Sequence, residues 1–149
     1  MKLLLDTCCI IWAISDPHPL SKTVVSLLQS EDSEIFISPI SAAEIACAVE
    51  RGRIALNQHW KTWFRHYIEL NKWQLENIDL SIIEEAYSLP EKFHADPVDR
   101  IITATARLKN YTLLTADKKI FVFENDKKYE LEHPKVDPFW GKFEEYLKK

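Results

Sequence analysis

Glycine is almost missing from this sequence: Gly52 and Gly141 are the two glycines among 149 residues. Loops that wrap a phosphate with their backbone amides need several glycines at fixed spacing. Neither G-x-G-x-x-G nor G-x-x-x-x-G-K-[ST] can be drawn here. The sequence therefore excludes the glycine-rich dinucleotide and nucleoside-triphosphate sites.

Cysteine is scarce as well, and its spacing argues against a structural zinc site. Cys8 and Cys9 are adjacent and Cys47 stands alone, so the chain contains no C-x-x-C pair. Adjacent cysteines are also poor candidates for a disulfide with each other. We predict three reduced, small and buried side chains, as in a cytoplasmic protein.

Long apolar runs are absent too. The opening MKLLLDTCCIIWAIS has some features of a signal peptide, but Asp6 interrupts it and no small-x-small cleavage site follows. No stretch of about 20 apolar residues is present to span a membrane. We predict a cytoplasmic protein with no membrane partner.

Basic residues are in deficit. There are 19 Lys and Arg against 23 Asp and Glu, which gives a net charge of −4. A nucleic-acid binder usually carries a basic surplus. The overall charge therefore argues mildly against a nucleic-acid partner.

What the sequence does contain is the composition of one globular domain. A hydrophobic content of 46% over 149 residues suffices for a core that needs no disulfide or metal. Strand-like and helix-like stretches alternate, which predicts a parallel sheet with helices on both faces. The predicted strands are 2–5, 35–38, 73–78 and 111–115, and the predicted helices are one from residue 7, then 20–28, 41–51, 60–70, 81–88 and 97–109.

Acidic residues stand at the edges of these elements. Asp6 and Asp117 follow predicted strands, and Glu44 and Asp99 lie one turn into predicted helices. In parallel sheets, functional groups collect at the carboxyl ends of the strands. Asp6, Asp117 and Glu44 are therefore expected at one edge. The edge that Asp99 occupies stays open, because its helix leads into a strand and such a helix often begins at the opposite edge.

Each acid also has a purely structural interpretation. Asp6 is a candidate N-cap for the helix that follows it, and S-x-x-E at Ser41 to Glu44 fits a capping box. Asp96-Pro97-Val98-Asp99 fits an N-cap, a proline at N1 and an acid at N3. Asp117 is a candidate cap for a turn at residues 118–121.

Taken together, the acids favour a metal site. Several carboxylates in one crevice repel each other and raise one another's pKa, and a divalent cation removes that cost. Ligands that are all oxygen suit Mg²⁺ or Mn²⁺ better than zinc or copper. Such a cation keeps several waters, activates one as a nucleophile and binds phosphate oxygens. The chemistry that this predicts is hydrolysis of a phosphodiester.

Four motifs resemble the PIN-domain family in their order and spacing: LLLDT (3–7), ISAAEIA (40–46), HADPVDRIITATA (94–106) and LLTAD (113–117). The resemblance covers about residues 1–125 and is greatest to the VapC-type toxins of bacterial toxin–antitoxin pairs. It implies a three-layer α/β fold with a central, mostly parallel sheet flanked by helices. It also implies an endoribonuclease that needs Mg²⁺ or Mn²⁺, forms a homodimer and binds a cognate antitoxin.

The resemblance assigns the metal site residue by residue. It implies that Asp6, Glu44, Asp99 and Asp117 are the metal-site acids, which would all lie at one end of the sheet. Asp96 contributes at the same corner as Asp99 and competes with it for the role of ligand. The family minimum ends near residue 125, so we predict one domain, 1–149, with a C-terminal extension at 126–149.

Four further residues are candidates around these acids. Thr7 and Thr115 are expected to donate hydrogen bonds to the ligands. Arg100 either orients the carboxylates or is a surface charge. His94 lies near these acids in the sequence and is a candidate for contact with the substrate.

The net charge changes when the site is set aside. Without the five candidate acids the chain carries +1. Eight cations either form a rim for the phosphates of an RNA strand or belong to solvated helix faces: Arg51, Arg53, Lys61, Arg65, Arg107, Lys109, Lys118 and Lys119. Trp60 and Trp63 either stack on bases or, as the pattern favours, pack in the core or at a dimer interface.

Two other functions compete with the ribonuclease. One is a protein-binding module that keeps the PIN fold without catalysis. The other is a phosphotransfer receiver domain, which needs a phospho-acceptor aspartate at the end of a central strand; the predicted strand at 35–38 ends in Ser38-Pro39 and fits poorly. The tail carries a helical apolar stripe, expected to pack on its own domain, a second subunit or an antitoxin: Phe139, Trp140, Phe143, Tyr146 and Leu147.

Overall fold

The architecture follows from four short strands that pair in parallel. The computed structural model describes residues 1–18, 20–89 and 96–115. The strands are β1 (Lys2–Leu5), β2 (Glu34–Ile37), β3 (Gln74–Leu75) and β4 (Thr112–Leu114). They pair in the order β3-β2-β1-β4, and every pairing is parallel. The predicted parallel sheet is confirmed.

Helices connect the strands and cover both faces of the sheet. Their bounds are α1 (Thr7–Ser15), α2 (Lys22–Gln29), α3 (Pro39–Glu50), α4 (Trp60–Asn71), α5 (Leu80–Ala86) and α6 (Pro97–Lys109). Each parallel connection needs a crossover, and a helix is the usual one. The three-layer arrangement that the resemblance implied is therefore present.

Alternation along β1 assigns its side chains to the two faces of the sheet. Leu3 and Leu5 belong to one core cluster, with Trp12 of α1 and Ile45 of α3. Leu4 belongs to a second cluster on the other face, with residues of α6. Side chains that alternate in this way are all buried because helices lie on both sides.

Two layers of packing cover the second face of the sheet, first α6 and then α5. Ile102 and Ala106 of α6 pack beneath the sheet. Ile101 and Ala104, on another side of α6, pack against α5 through residues such as Ile82. Helix α6 is therefore fixed between the sheet and α5, which holds its N-terminus in place.

The tryptophans of α4 fill the first core. Trp63 is 3% exposed and Trp60 is partly buried, and both pack in the cluster that includes Leu3 and Leu5. Core packing, which the sequence pattern favoured over base stacking, is confirmed for Trp63. Helix α4 is thus a structural element that braces α3.

Helix α3 begins earlier than predicted, and the capping-box interpretation is wrong. Ser38 is the N-cap, with its hydroxyl accepting from the Ile40 N–H at 3.2 Å, and Pro39 takes the first position of the helix. Ser41 is already helical, and its own N–H donates to the Ser38 carbonyl at 3.0 Å. Glu44 therefore has no amide at Ser41 to cap.

Two other expectations need correction. β3 spans only Gln74–Leu75, much less than the predicted 73–78, because it is an edge strand that pairs only with β2 among the described residues. All three cysteines are free, as predicted, and Cys8 and Cys9 are buried. Cys47 is exposed, so the prediction of three buried thiols is wrong for that residue.

Some predictions fall on residues outside the described ranges. These are Asp117, His94, the turn at 118–121 and the whole C-terminal extension. The division into one domain plus an extension at 126–149 stays a prediction. Within the described ranges, none of the helices combines the length and the apolar character needed to cross a bilayer.

Candidate active site

The carboxyl end of β1 is the point at which the strand order reverses. β1 pairs with β2 on one side and with β4 on the other. The chain passes from β1 out to β2 and β3 on one side and then crosses back to place β4 on the other side, so a crevice opens beyond the end of β1. In open α/β sheets this is where ligands bind.

Asp6 occupies that position and is 7% exposed. It is the N-cap of α1, where its Oδ1 accepts from the N–H of Cys8 at 2.8 Å and of Cys9 at 3.4 Å. Its own N–H donates to the carbonyl of Leu114 at 3.0 Å, which joins it to β4. The cap interpretation of Asp6 is confirmed.

The rest of the Asp6 carboxylate is held by side chains. The hydroxyl of Thr115, which directly follows β4, donates to Oδ2. The Cys8 thiol donates to Oδ1. Burial raises the pKa of Cys8 well above its usual range, and a hydrogen bond with Cys9 and the charge of Asp6 raise it further. The thiol is therefore protonated and acts as a donor to the carboxylate.

Helix α3 brings the second acid to the same edge. The hydroxyl of Thr7 donates to Oγ of Ser41 at 3.0 Å, in a buried bond that joins the first turn of α1 to the first turn of α3. Glu44 lies one turn beyond Ser41 and is partly buried. The two helices are thus locked together beside the two acids. Thr7 reaches Ser41 rather than a carboxylate in this contact.

Helix α6 brings two further acids. Asp96 is its N-cap, accepting from the N–H of Val98 at 2.9 Å and of Asp99 at 3.5 Å, with Pro97 at the first helical position. Asp99 follows in the first turn. The cap motif read from the sequence is confirmed. Helix α6 directly precedes β4 and runs antiparallel to it, so α6 begins at the carboxyl edge of the sheet. Asp99 therefore lies at the same edge as Asp6, which answers the question that the sequence left open.

These acids line one cavity of about 420 Å³. The carboxylates are those of Asp6, Glu44, Asp96 and Asp99. The structure therefore brings together four of the five acids that the sequence singled out, from three separate elements. The fifth, Asp117, lies outside the described residues, two positions after Thr115.

The donor set of the cavity fits a hard divalent cation. Four carboxylates so placed repel each other, and a cation relieves that repulsion. Asp6, Cys8 and Cys9 also have potential ligand atoms within 4.8 Å of one another. Neither Cys8 nor Cys9 lines the cavity, however, and the Cys9 thiol donates to the carbonyl of Leu114 at 3.3 Å. The acids that line the cavity offer oxygen.

Arg100 contacts the end of α5. One guanidinium nitrogen, Nη1, donates to the carbonyl of Ala86 at 3.0 Å, and the guanidinium carbon lies 5.6 Å from the centre of the Tyr87 ring. These contacts join the start of α6 to the end of α5. The role of Arg100 in orienting the carboxylates stays a prediction.

The cavity extends further along α3 than the sequence indicated. Cys47, Arg51 and Arg53 line it beyond Glu44. The sequence placed the two arginines among eight candidate rim cations without separating them from the rest, and it placed Cys47 in the core. The signal was present in the helical spacing, because Cys47 and Arg51 lie three and seven positions after Glu44.

Comparison with known proteins identifies the fold. Residues 3–125 match the PIN domain. The chain belongs to the PIN-domain family. The matched range includes all the cavity acids and the position of Asp117, so the resemblance seen in four short motifs extends over most of this PIN domain.

Individual relatives agree with that assignment. The chain is 30% identical over 118 residues to "Ribonuclease VapC22" of Mycobacterium tuberculosis. The matched region covers 79% of this chain and 88% of the relative. A toxin–antitoxin complex from Klebsiella pneumoniae superposes with a TM-score of 0.56 at 24% identity, over 80% of this chain and 89% of that one. VapBC2 from Rickettsia felis, solved on a promoter DNA fragment, gives 0.60 at 22% identity, over 82% and 92%. These two structures support the PIN fold.

Proposed function

We propose that this PIN domain is an endoribonuclease that depends on Mg²⁺ or Mn²⁺ and is the toxin of a type II toxin–antitoxin pair. The observation that carries the proposal is the cavity at the end of β1, where carboxylates from three elements converge. The relative from Mycobacterium tuberculosis is named as a ribonuclease. That name supports RNA, rather than another phosphodiester, as the substrate.

The proposed roles of the acids are to bind a cation and to accept a proton from water. Asp6, Glu44, Asp99 and Asp117 are the proposed ligands, with Asp96 beside Asp99. A divalent cation bound there supplies charge stabilisation at the phosphate and a water of lowered pKa. A carboxylate that is not fully engaged accepts the proton of the attacking water.

Neighbouring hydroxyls keep these acids in place. Thr115 fixes Oδ2 of Asp6, which leaves the direction of that carboxylate set before any cation arrives. Thr7 acts through Ser41, because their bond holds α1 and α3 at a fixed distance. Ligands that are oriented in advance lose less entropy when a cation binds.

The same comparisons support one of the proposed partners. The similar structure from Klebsiella pneumoniae is a toxin–antitoxin complex, and this supports a cognate antitoxin for this chain. We further propose a homodimer acting in the cytoplasm, where the three free cysteines stay reduced. The receiver-domain alternative loses support, because residues 3–125 match the PIN domain.

The test is a cleavage assay on the purified protein. Single-stranded RNA should be cut with Mg²⁺ or Mn²⁺, left intact with EDTA and cut again when the cation is restored in excess. Asp99→Asn should slow cleavage roughly 100-fold or more, because it removes a charged ligand. A wild-type protein that binds RNA or an antitoxin but never cuts would assign the chain to the non-catalytic binding modules instead.

A further inference from the structure

The cavity that holds the acids has a basic end. Arg51 and Arg53 are exposed, and both line the cavity that contains Glu44 and Asp99. Arg51, the C-cap of α3, lies seven positions after Glu44, which is two turns and about 10.5 Å along the helix axis. The cavity is therefore a groove whose lining changes from negative charge at Glu44 to positive charge at Arg51 along one face of α3.

The turn that ends α3 fixes where these arginines start. Gly52 has φ of +68°, and its N–H donates to the carbonyl of Val49 at 3.0 Å. The N–H of Arg53 reaches back to the carbonyl of Ala48 at 2.9 Å. This pair of bonds is a Schellman motif, in which glycine takes the left-handed position without steric cost. It reverses the chain and returns Arg53 to the groove.

The backbone on both sides of the turn is anchored. Ile54, directly after Arg53, is 7% exposed and belongs to the same core as Ile45 of α3. The two guanidinium groups therefore extend from a rigid base, while their side chains stay free to adjust to a ligand.

These arginines have no ion-pair partner among the residues that the structure describes. Other cations form ion pairs: Nη1 of Arg107 lies 3.0 Å from Oε1 of Glu85, and Nζ of Lys109 lies 3.4 Å from Oε1 of Glu76. The negative end of the α3 dipole favours a charge at Arg51. That explanation does not extend to Arg53, which lies beyond the helix end. Two cations that flank Gly52 and have no ion-pair partner within the described ranges suit an anionic ligand.

We propose that Arg51 and Arg53 bind a backbone phosphate of the RNA strand next to the phosphate that is cut. This inference rests on the ribonuclease function proposed above. The acids alone would repel RNA, and the arginines attract it two helical turns away. Arginine suits the task because its planar fork binds two phosphate oxygens at once. The RNA strand would then cross α3 over Cys47 and Ala48, with one phosphate at the arginines and the phosphate that is cut at the acids.

Cleavage kinetics test the assignment with a matched control. Arg51→Gln combined with Arg53→Gln should raise KM by up to about fivefold for each arginine. It should leave kcat within about twofold, since a contact made equally in ground and transition states affects binding alone. The slope of log affinity for single-stranded RNA against log salt should fall by about 0.7 for each arginine. Arg65→Gln, an exposed arginine of α4 outside the groove, should change KM much less.

Cys47 supplies a second measurement that needs no cleavage. It is the exposed cysteine of the three and lies between Glu44 and Arg51, so a brief maleimide reaction in EDTA should label it selectively. Single-stranded RNA should protect Cys47 in the wild type and in Arg65→Gln. At the same RNA concentration it should protect the double variant several-fold less.

The outcomes separate the inference from the proposed function. A wild type that protects Cys47 without cutting RNA would contradict the ribonuclease and still support the phosphate site. A double variant that matches Arg65→Gln in KM, salt slope and Cys47 protection would overturn the phosphate site even if cleavage is intact. Loss of antitoxin binding in the double variant with unchanged RNA binding would also overturn it, because the groove would then belong to a protein partner.

Discussion

The carboxylate of Asp6 serves the fold and the cavity at once. It caps α1 through two backbone N–H groups and accepts two further bonds, from the Cys8 thiol and the Thr115 hydroxyl. A buried carboxylate is costly unless it is hydrogen-bonded or paired. These bonds offset part of that cost, and on our proposal a cation offsets more. One residue therefore links the stability of α1 to the proposed metal site.

Asp6→Asn separates these two roles. Asparagine caps a helix about as well as aspartate, so without metal the free energy of unfolding should change by less than about 1 kcal/mol. Cleavage should fall roughly 100-fold or more, and stabilisation by Mg²⁺ should disappear, because the charge is lost. Thermal melts with and without Mg²⁺, together with an RNase assay, measure both quantities.

Asp79→Asn is the control for that experiment. Asp79 caps α5, accepting from the Ile82 N–H at 2.9 Å, and does not line the cavity. It should keep wild-type cleavage and the full response to Mg²⁺. If Asp6→Asn behaved in the same way as Asp79→Asn, Asp6 would be a cap and nothing more.

Single residues were predictable where they broke a pattern. Asp6 is visible in the sequence because it interrupts an apolar run, which demands an explanation. Arg53 and Arg65 look alike in the sequence, and only the reversal of the chain at Gly52 brings Arg53 to the groove. The exposure of Cys47 was not predicted, because its small apolar side chain favoured the core, although its spacing of three positions from Glu44 indicates the face of the cavity.

Helix α3 shows how two start signals compete within one element. Ser38-Pro39 offers a cap and a proline at N1, and Ser41 with Glu44 offers a capping box three residues later. The earlier signal prevails, because the fixed φ of proline already suits the first turn. Ser41 and Glu44 are consequently released from capping, and their side chains can serve the site.

The start of α3 predicts opposite effects for two substitutions. Ser38→Ala should cost about 1 kcal/mol of stability, because the Ile40 N–H loses its acceptor, and it should change cleavage little. Glu44→Gln should leave the metal-free protein equally stable or more so, since repulsion among the acids falls. It should weaken the response to Mg²⁺ and slow cleavage. Thermal melts and cleavage at limiting Mg²⁺ distinguish the two.

One result would remove Glu44 from the site. If Glu44→Gln cleaved RNA at the wild-type rate at limiting Mg²⁺, its carboxylate would not be a ligand. Glu50→Gln, an exposed acid later in the same helix, controls for the general effect of losing a charge.

Strands and helices were more predictable than their ends. β1, β2 and β4 are short apolar runs between turn signals, and such runs indicate buried strands. β3 was overestimated because alternation at residues 73–78 does not reveal how far a neighbouring strand extends. The start of α6 was predicted correctly, since an aspartate followed by proline fixes a cap and a first turn together.

Sheet order is the level at which the sequence was least informative. Alternating strands and helices predict a parallel sheet, but they do not say which strands are neighbours. The order β3-β2-β1-β4 places β1 between β2 and β4. That order makes the end of β1 a switch point and gathers Asp6, Glu44 and Asp99 around one cavity. Family resemblance predicted that the acids meet at one end of the sheet, which periodicity did not, but it did not give the strand order.

Assembly gives a prediction for the complete protein. We expect a dimer at micromolar concentration and a tighter complex with the cognate antitoxin, which should suppress cleavage. Sedimentation velocity with and without antitoxin, run beside the RNase assay, measures both. A protein that stays monomeric, ignores the antitoxin and cuts RNA freely would refute the assigned partners while leaving the nuclease intact.

The most direct test of the account joins metal binding to cleavage in one titration. Mn²⁺ is added to the wild type and to Asp99→Asn, with bound Mn²⁺ read by electron paramagnetic resonance and RNA cleavage followed on the same samples. We expect binding and cleavage to rise together with the same half-saturating concentration in the wild type, and both to be lost in Asp99→Asn. Cleavage that continues undiminished in EDTA, or at the wild-type rate in Asp99→Asn without bound Mn²⁺, would contradict it.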